Sequence, residues 1–333
     1  MSLPTTSDVH VDSALTSISV AYLQRQDQFA ARTVFPVVPV AKQSDVYYKY
    51  NRGDQNRDQA AKRAPGAESS GGGYRLTTEP YSCDVWAIHS DVTDPMLANA
   101  DAALNPEDDA AEFVMHQLLI RQEAEFASSF MAGGIWANDF DGVASSPSAG
   151  ETIQWSDMTS GDPIGDMRTA KYSILENTGQ MPNVLVIGAR VLEALVDHPD
   201  IVDRVKYGAQ TTGSPAQVNE QTLAALFGLD RIVVSTAVQN TAAEGLAESS
   251  SFIVGKHALL THSAPNPGLM VPSAGYTFSW NAYLGQSNGL GIATQRLDLR
   301  PVDRKVTRIV GEIAMDMKVV SSDLGFFWEG IVA

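Results

Sequence analysis

Cysteine is almost absent from this chain: Cys83 is the single thiol in 333 residues. One thiol excludes an intramolecular disulfide framework and any zinc site built on several cysteines, and the expected role of Cys83 is that of a small buried hydrophobe. Positive charge is also scarce. With 23 Lys and Arg against 39 Asp and Glu, the formal net charge is -16, which argues against a nucleic-acid reader, because phosphate binding needs cations concentrated along the contact face. A surface that faces packed nucleic acid without gripping it is compatible with that balance. No segment approaches the roughly 20 consecutive apolar residues of a membrane span. The opening residues, MSLPTTSDVHVDSALTSISV, carry neither a basic leader nor an unbroken apolar run, so the expectation is a soluble protein made in the cytoplasm. Internal repeats, heptads and low-complexity tracts are missing.

What is present is a globular composition, 44% hydrophobic and 19% charged, enough for one large or two ordinary domains. Residues 41–81 stand out from it as long, polar, locally basic and glycine-rich: AKQSDVYYKYNRGDQNRDQAAKRAPGAESSGGGYRLTTEPY. Residues 34–40 lead in as a strand, 46–50 alternate, and 74–78 alternate again on the return, which predicts a two-armed ribbon with a loose tip. Such a hairpin has little core of its own, so unless it is disordered it is expected to lie on another surface, that of a second subunit foremost. Between Lys49 and Arg63 there are five cations, Lys49, Arg52, Arg57, Lys62 and Arg63, against Asp54 and Asp58. Two readings stand for them: a solvated mobile loop, or a contact with an acidic patch on an identical neighbour, where charge sets register and partner more than affinity. Arg52-Gly53-Asp54 spells an adhesion tripeptide but reads here as turn chemistry.

The strongest helix signal spans 106–131. Asn105 is placed to cap, Pro106 suits the first turn, and Glu107, Asp108 and Asp109 put negative charge at the positive end of the dipole. Met115, Leu119, Phe126 and Phe130 recur at helical spacing, with Leu118 and Ala127 beside them, and Gly133-Gly134 supplies a stop. Before it, 83–89 alternates as a strand and 91–103 reads as a polar connection. Beyond a turn-rich stretch at 142–150, helices (163–177, 189–196, 219–227) alternate with buried strands (183–187, 231–235), while 208–218 and 237–251 read as loops. From 275 onward the chain is strand-rich. The pattern predicts an α/β region inserted between two parts of a second domain that shares a sheet and the long helix.

Candidate chemistry is sparse. Gly285-Gln286-Ser287-Asn288-Gly289 matches the G-x-S-x-G elbow of hydrolases, with 280–284 as its strand, but the following 292–300 continues as β and no histidine follows Ser287. A Gly/Asn turn is the competing reading. Residues 184–188 open like a nucleotide-binding βα unit, yet no further glycine follows to admit a pyrophosphate, and a G-x-x-x-x-G-K-[ST] loop is missing. His89, Asp91 and Asp94, and separately His257 and His262, are close in sequence without a metal spacing, and His116 lies inside the long helix. No catalytic residue, metal or cofactor is expected.

The segments ISVAYLQ, VFPVVPVAKQSDVYYKYNRGD with RAPG and GGGY after it, and the late SAPNPG, together with the element order, resemble the major capsid proteins of tailed bacteriophages, with an α+β Hong Kong 97-like fold. The resemblance covers nearly the whole chain. It implies an N-terminal arm at 1–40, an extended loop at 41–81 that crosses onto an adjacent subunit, a peripheral domain in two parts (82–182, with a spine helix at about 106–131, and 275–333 with the C-terminal strands) and an axial domain at 183–274. It implies a virion protein without enzyme activity, assembled in the bacterial cytoplasm from pentamers and hexamers of itself, enclosing double-stranded DNA without reading its sequence. Scaffolding, portal and decoration proteins are the other partners implied. The acidic balance suits a wall that packed DNA must not stick to. Relatives with a long N-terminal scaffolding segment differ from this chain, whose arm-like sequence begins at once, and no donor and acceptor pair for a loop cross-link is matched. An encapsulin-like compartment on the same fold is the alternative, and a hydrolase using Ser287 a third.

Overall fold

The computed structural model describes residues 23–100, 105–208, 218–268, 270–285, 291–299 and 305–333. Two sheets and one long helix organise them. The first sheet is built on β14 (Val306–Val319), whose 14 residues alternate, with Thr307, Ile309, Gly311, Ile313, Met315 and Met317 turned inward. On one flank it pairs antiparallel with β4 (Asp84–Thr93); on the other with β12 (Gly275–Ser279) and β13 (Ala293–Asp298), and β1 (Val37–Pro39) extends the sheet parallel to β12.

The long helix, α3 (Pro106–Phe130), covers the inward face of this sheet. Val114, Leu118, Leu119, Phe126 and Phe130 are buried along it, while Met115 is part of its exposed side. A Cβ at Gly311 would collide with Val114 and Leu118, so glycine there is what lets the helix approach the central strand. The Arg121 guanidinium lies 3.8 Å over the Trp86 ring and pins helix to strand a second way. Asn105 occupies the N-cap position, but its side chain bonds the Asp108 carboxylate and not a helix N–H.

The second sheet has six strands in the order β6 (Glu151–Ile153), β5 (Asn138–Val143), β15 (Gly325–Glu329), β11 (Ala258–Thr261), β7 (Val184–Gly188) and β8 (Arg231–Ser235). Every residue of β7 is buried, as its unbroken apolar sequence requires. Helices α4 (Pro163–Thr178), α5 (Ala189–Asp197) and α7 (Glu220–Phe227) pack around it; α4 and α7 end at Gly179 and Gly228 in the left-handed conformation, φ 74° and 62°. One apolar core runs through both sheets, from Val114, Leu118 and Ile313 to Leu185, Ile187 and Leu259.

Several expectations change. Residues 91–103 are not a plain connection, since β4 continues to Thr93 and Pro95 sits in the first turn of α2 (Asp94–Asn99), capped by Thr93. Residues 280–284 are not a strand: β12 stops at Ser279 and Asn281–Leu284 is a helical turn closed by left-handed Gly285. An additional helix, α6 (Pro199–Gly208), follows α5 directly, and 237–251 contains a small hairpin of Val238–Asn240 with Ser250–Phe252. The ranges 82–182 and 275–333 are each divided between the sheets: β4, β12, β13 and β14 form the first, whereas β5, β6 and β15 join the second. The parallel pairing of β15 with β5 joins segments far apart in the sequence, and period-two alternation carries no information about such a partner.

Candidate assembly surface

The ribbon is a two-stranded antiparallel hairpin of β2 (Ser44–Tyr50) and β3 (Leu76–Ser82), in register from Ser44 opposite Ser82 to Tyr50 opposite Leu76. Alternation gives it two faces. Tyr47 and Tyr81 point to the body of the chain, where Tyr81 stacks on Phe278 at 4.6 Å between ring centroids and Tyr47 lies 5.6 Å from the same ring. Cys83, fully buried beside them, has its thiol pushed up to about 12 by burial, with Asp316 and Asp84 adding to the effect. The base of the hairpin is therefore tied to its own sheet. The opposite face carries Val46, Tyr48 and Leu76, with Tyr74 just beyond, all exposed, Tyr48 by 61% and Tyr74 by 67%.

Beyond the strands the tip is ordered by polar contacts. The turn α1 (Arg52–Gln55) is capped by Asn51, and Asp54 takes a two-pronged bond from Arg75, Nε at 2.8 Å and NH2 at 3.1 Å, which holds its carboxyl below the usual range. Gln59 clamps the triglycine stretch, accepting from Gly73 N–H at 2.9 Å and donating to its carbonyl at 3.2 Å. The adhesion-like tripeptide is thus consumed by intrachain contacts.

The five cations separate into two groups. Lys49 is 2.9 Å from Glu79, which also accepts from Tyr47 at 2.8 Å and has its carboxyl lowered chiefly by the Lys49 bond. Arg52 is 2.8 Å from Asp323, in the short 3-10 turn Ser322–Leu324 between β14 and β15. Arg57, Lys62 and Arg63 carry no ion pair among the described residues; Arg63 donates to the Ala67 carbonyl. Between the hairpin and the body lies a cleft of about 650 Å³, walled by Tyr50 and Arg52 on one side and Val271, Pro272, Tyr276 and Val320 on the other. Sequence reasoning missed Glu79 and Asp323. The hairpin register would have paired Glu79 with Tyr47, but nothing local marks Asp323.

The other candidates have structural partners. Asp91 forms a two-pronged pair with Arg308 at 2.6 and 2.7 Å, across the β4–β14 ladder. His257 accepts from Gly330 N–H at 3.2 Å and stacks on Phe327; His262 donates to the Met181 carbonyl at 2.8 Å; His116 accepts from Gln24 N–H at 3.1 Å. Among the described residues no group of three His, Cys, Asp or Glu side chains could hold a metal ion. A Cβ at Gly188 would meet the carbonyl oxygens of Gly255 and Val254, so this glycine serves close packing against oxygens that would repel a phosphate. Ser287 lies outside the described residues, and the turn before it lacks the strand an elbow needs. Among the described residues no helix is long and apolar enough to cross a membrane.

No family model matches this chain. It is 28% identical over 97% of its length and 97% of the relative's to a major capsid protein of Pseudomonas phage JBD67, and 25% identical over 68% of its length and 69% of the relative's to that of Burkholderia phage BcepMu. Among solved structures it matches a phage-related protein from Bordetella bronchiseptica RB50 (TM-score 0.63, 23% identity, 92% of this chain and 93% of that one). It also matches the capsid of cyanophage P-SCSP1u (TM-score 0.62, 11% identity, 98% and 95%) and an encapsulin complex from Synechococcus elongatus PCC 7942 (TM-score 0.54, 11% identity, 100% and 98%).

Proposed function

We infer that this chain, whose fold is the Hong Kong 97-like capsid fold, is a phage major capsid protein whose copies assemble into the icosahedral shell around double-stranded DNA. The observation that carries the reading is the end-to-end likeness to a phage major capsid protein, over nearly all of both chains. The fold by itself is shared with an encapsulin, so sequence is what separates the two readings.

In this reading residues 41–81 are an extended loop toward a neighbouring subunit, α3 is the spine of a peripheral domain and the region around β7, β8 and β11 is the axial domain of pentamers and hexamers. Cohesion comes from many weak contacts repeated in every copy, so no single interface has to be strong. The net charge of -16 suits a wall that contains DNA without binding it. The role is structural and not enzymatic, the protein resides in the virion after assembly in the host cytoplasm, and scaffolding, portal and decoration proteins are its further partners.

Electron microscopy of the purified protein, alone and with a co-expressed scaffold, tests the reading. Closed shells of uniform diameter that protect double-stranded DNA from nuclease when purified from infected cells are expected. Particles that hold a protein cargo and no DNA would support the encapsulin reading instead, and a protein that remains monomeric in every condition would end both.

A further inference from the structure

We propose that His116 is an acid-sensitive latch: its neutral ring holds residues 24–29 on α3, and its protonation frees that segment as far as Ala31, where Glu123 keeps its grip. The latch belongs to the single folded chain and stands whether or not copies build a shell.

Residues 24–31 meet α3 at two titratable acceptors, His116 and Glu123, seven residues or about two turns apart along the helix. At the first, the Gln24 N–H donates to His116 Nε2 at 3.1 Å, and Phe29 meets the same ring edge-on with centroids 6.4 Å apart. At the second, the Ala31 N–H donates to Glu123 Oε2 at 2.9 Å. Acid treats the two acceptors differently. A ring nitrogen accepts only while it carries no proton, so neutral His116 keeps its hydrogen on Nδ1; once Nε2 is protonated, two donors face each other and the contact is lost. A carboxyl accepts in either state, and protonated Glu123 can still take the Ala31 N–H while donating to the Ser235 hydroxyl.

Among the described residues no charge is placed to steady an imidazolium at this point. On the facing segment Arg25 and Asp27 pair with each other, 80% and 61% exposed, and Arg296 of β13, the strand that follows Ile292, is bound to Glu107. Residues 236–238 and 250–253 bring no titratable side chain, and Glu112, one turn back on α3, is exposed. Burial accordingly lowers the His116 pKa below its ordinary 6.5. A value depressed in the folded state makes the latch's contribution full above about pH 6.5 and lost as pH falls through the folded value. Glu123 runs the other way, since burial raises its pKa and acid favours its folded form. The segment therefore opens from the Gln24 end and stops at Ala31. Its remaining ties are few: Phe29 sits in a satellite cluster with Leu119 and Ala237, the Gln24 amide pairs with Val238 at 2.6 and 2.8 Å, and the Thr236 N–H donates to the Gln28 carbonyl at 3.2 Å. Local opening of such a segment leaves the main core untouched.

Hydrogen exchange read by mass spectrometry tests this, with each rate corrected for the intrinsic pH dependence of exchange. Between about pH 7.5 and about pH 5, on either side of the ordinary histidine value, protection of residues 24–29 is expected to fall about three- to ten-fold while that of 31–35 holds. His116→Gln keeps an acceptor that does not titrate, so its residues 24–29 stay protected at both pH values. His116→Ala has no acceptor there, and the same residues are equally unprotected at both. Wild-type protection that is the same at both pH values overturns the proposal, as does an acid loss that persists in either variant or one that spreads over 24–35 as a single unit. None of these outcomes bears on the capsid reading.

Discussion

Glu123 is a fully buried carboxyl in the middle of α3, where one oxygen accepts from Ala31 N–H at 2.9 Å and the other from the Ser235 hydroxyl at 2.6 Å. It ties three segments distant in sequence to one point. Burial pushes its pKa above the ordinary 4.5, against the pull of those bonds. A carboxyl raised in the folded state binds its proton more readily there than in the unfolded chain, so its contribution to stability is full below about pH 4.5 and is lost as pH rises through the folded value. Glu123→Gln can keep both bonds, its carbonyl accepting from Ala31 and its amide donating to Ser235. Urea midpoints measured from pH 5 to 8 should therefore fall less for this variant than for wild type, and equal slopes would count against the assignment. Glu123→Ala leaves both partners unpaired and is expected to cost about 2 to 4 kcal/mol at any pH. Cys83 makes a second test at this scale: with its thiol pushed up to about 12 and no exposed surface, it should resist maleimide at pH 8 until the protein is unfolded, when one thiol per chain reacts. Rapid labelling of the native protein would place Cys83 elsewhere.

At the scale of elements, the hairpin and the long helix behave differently under the same reasoning. The hairpin base belongs to the body through Tyr47, Tyr81 and Phe278, whereas residues 56–75 beyond the strands are mostly exposed and held by local polar contacts such as Gln59 to Gly73. Deleting residues 52–73 should thus leave the thermal midpoint within a few degrees of wild type while shell yield drops at least tenfold; unchanged shells by microscopy would remove the tip from assembly. The existence of both elements was legible in the sequence, because period-two alternation and a capped 3.6-residue repeat are local signals. The inward face of α3 was only half legible. Phe126 and Phe130 are buried as their spacing predicts, but Val114 is buried and Met115 is not, because the position of Gly311 on β14 decides which side of the helix meets the sheet. Buried Gln122 and Glu123 were invisible, since polar residues on a helix normally mark its wet face.

Among the described residues the largest apolar core runs through two sheets, with three smaller clusters beside it, and three connections run against sequence order: β15 between β5 and β11, β1 beside β12, and β4 beside β14. Because those crossings stitch the sheets together, the isolated chain is expected to unfold in one cooperative transition by calorimetry, and two resolved transitions would show that the sheets are separate units. Sequence alone determined the class of the protein: an acidic, nearly thiol-free α+β chain with a basic ribbon before a long helix, in an order that resembles phage capsid proteins. Those properties follow from composition and from interactions within a few residues. Only the tertiary structure decided that β15 leaves the sheet of its immediate predecessor, that Glu123 is buried beneath residues 30–31, and that Arg52 meets Asp323. Each of these depends on which distant segments share a face, and that choice is made by packing of the whole core, which no local pattern encodes.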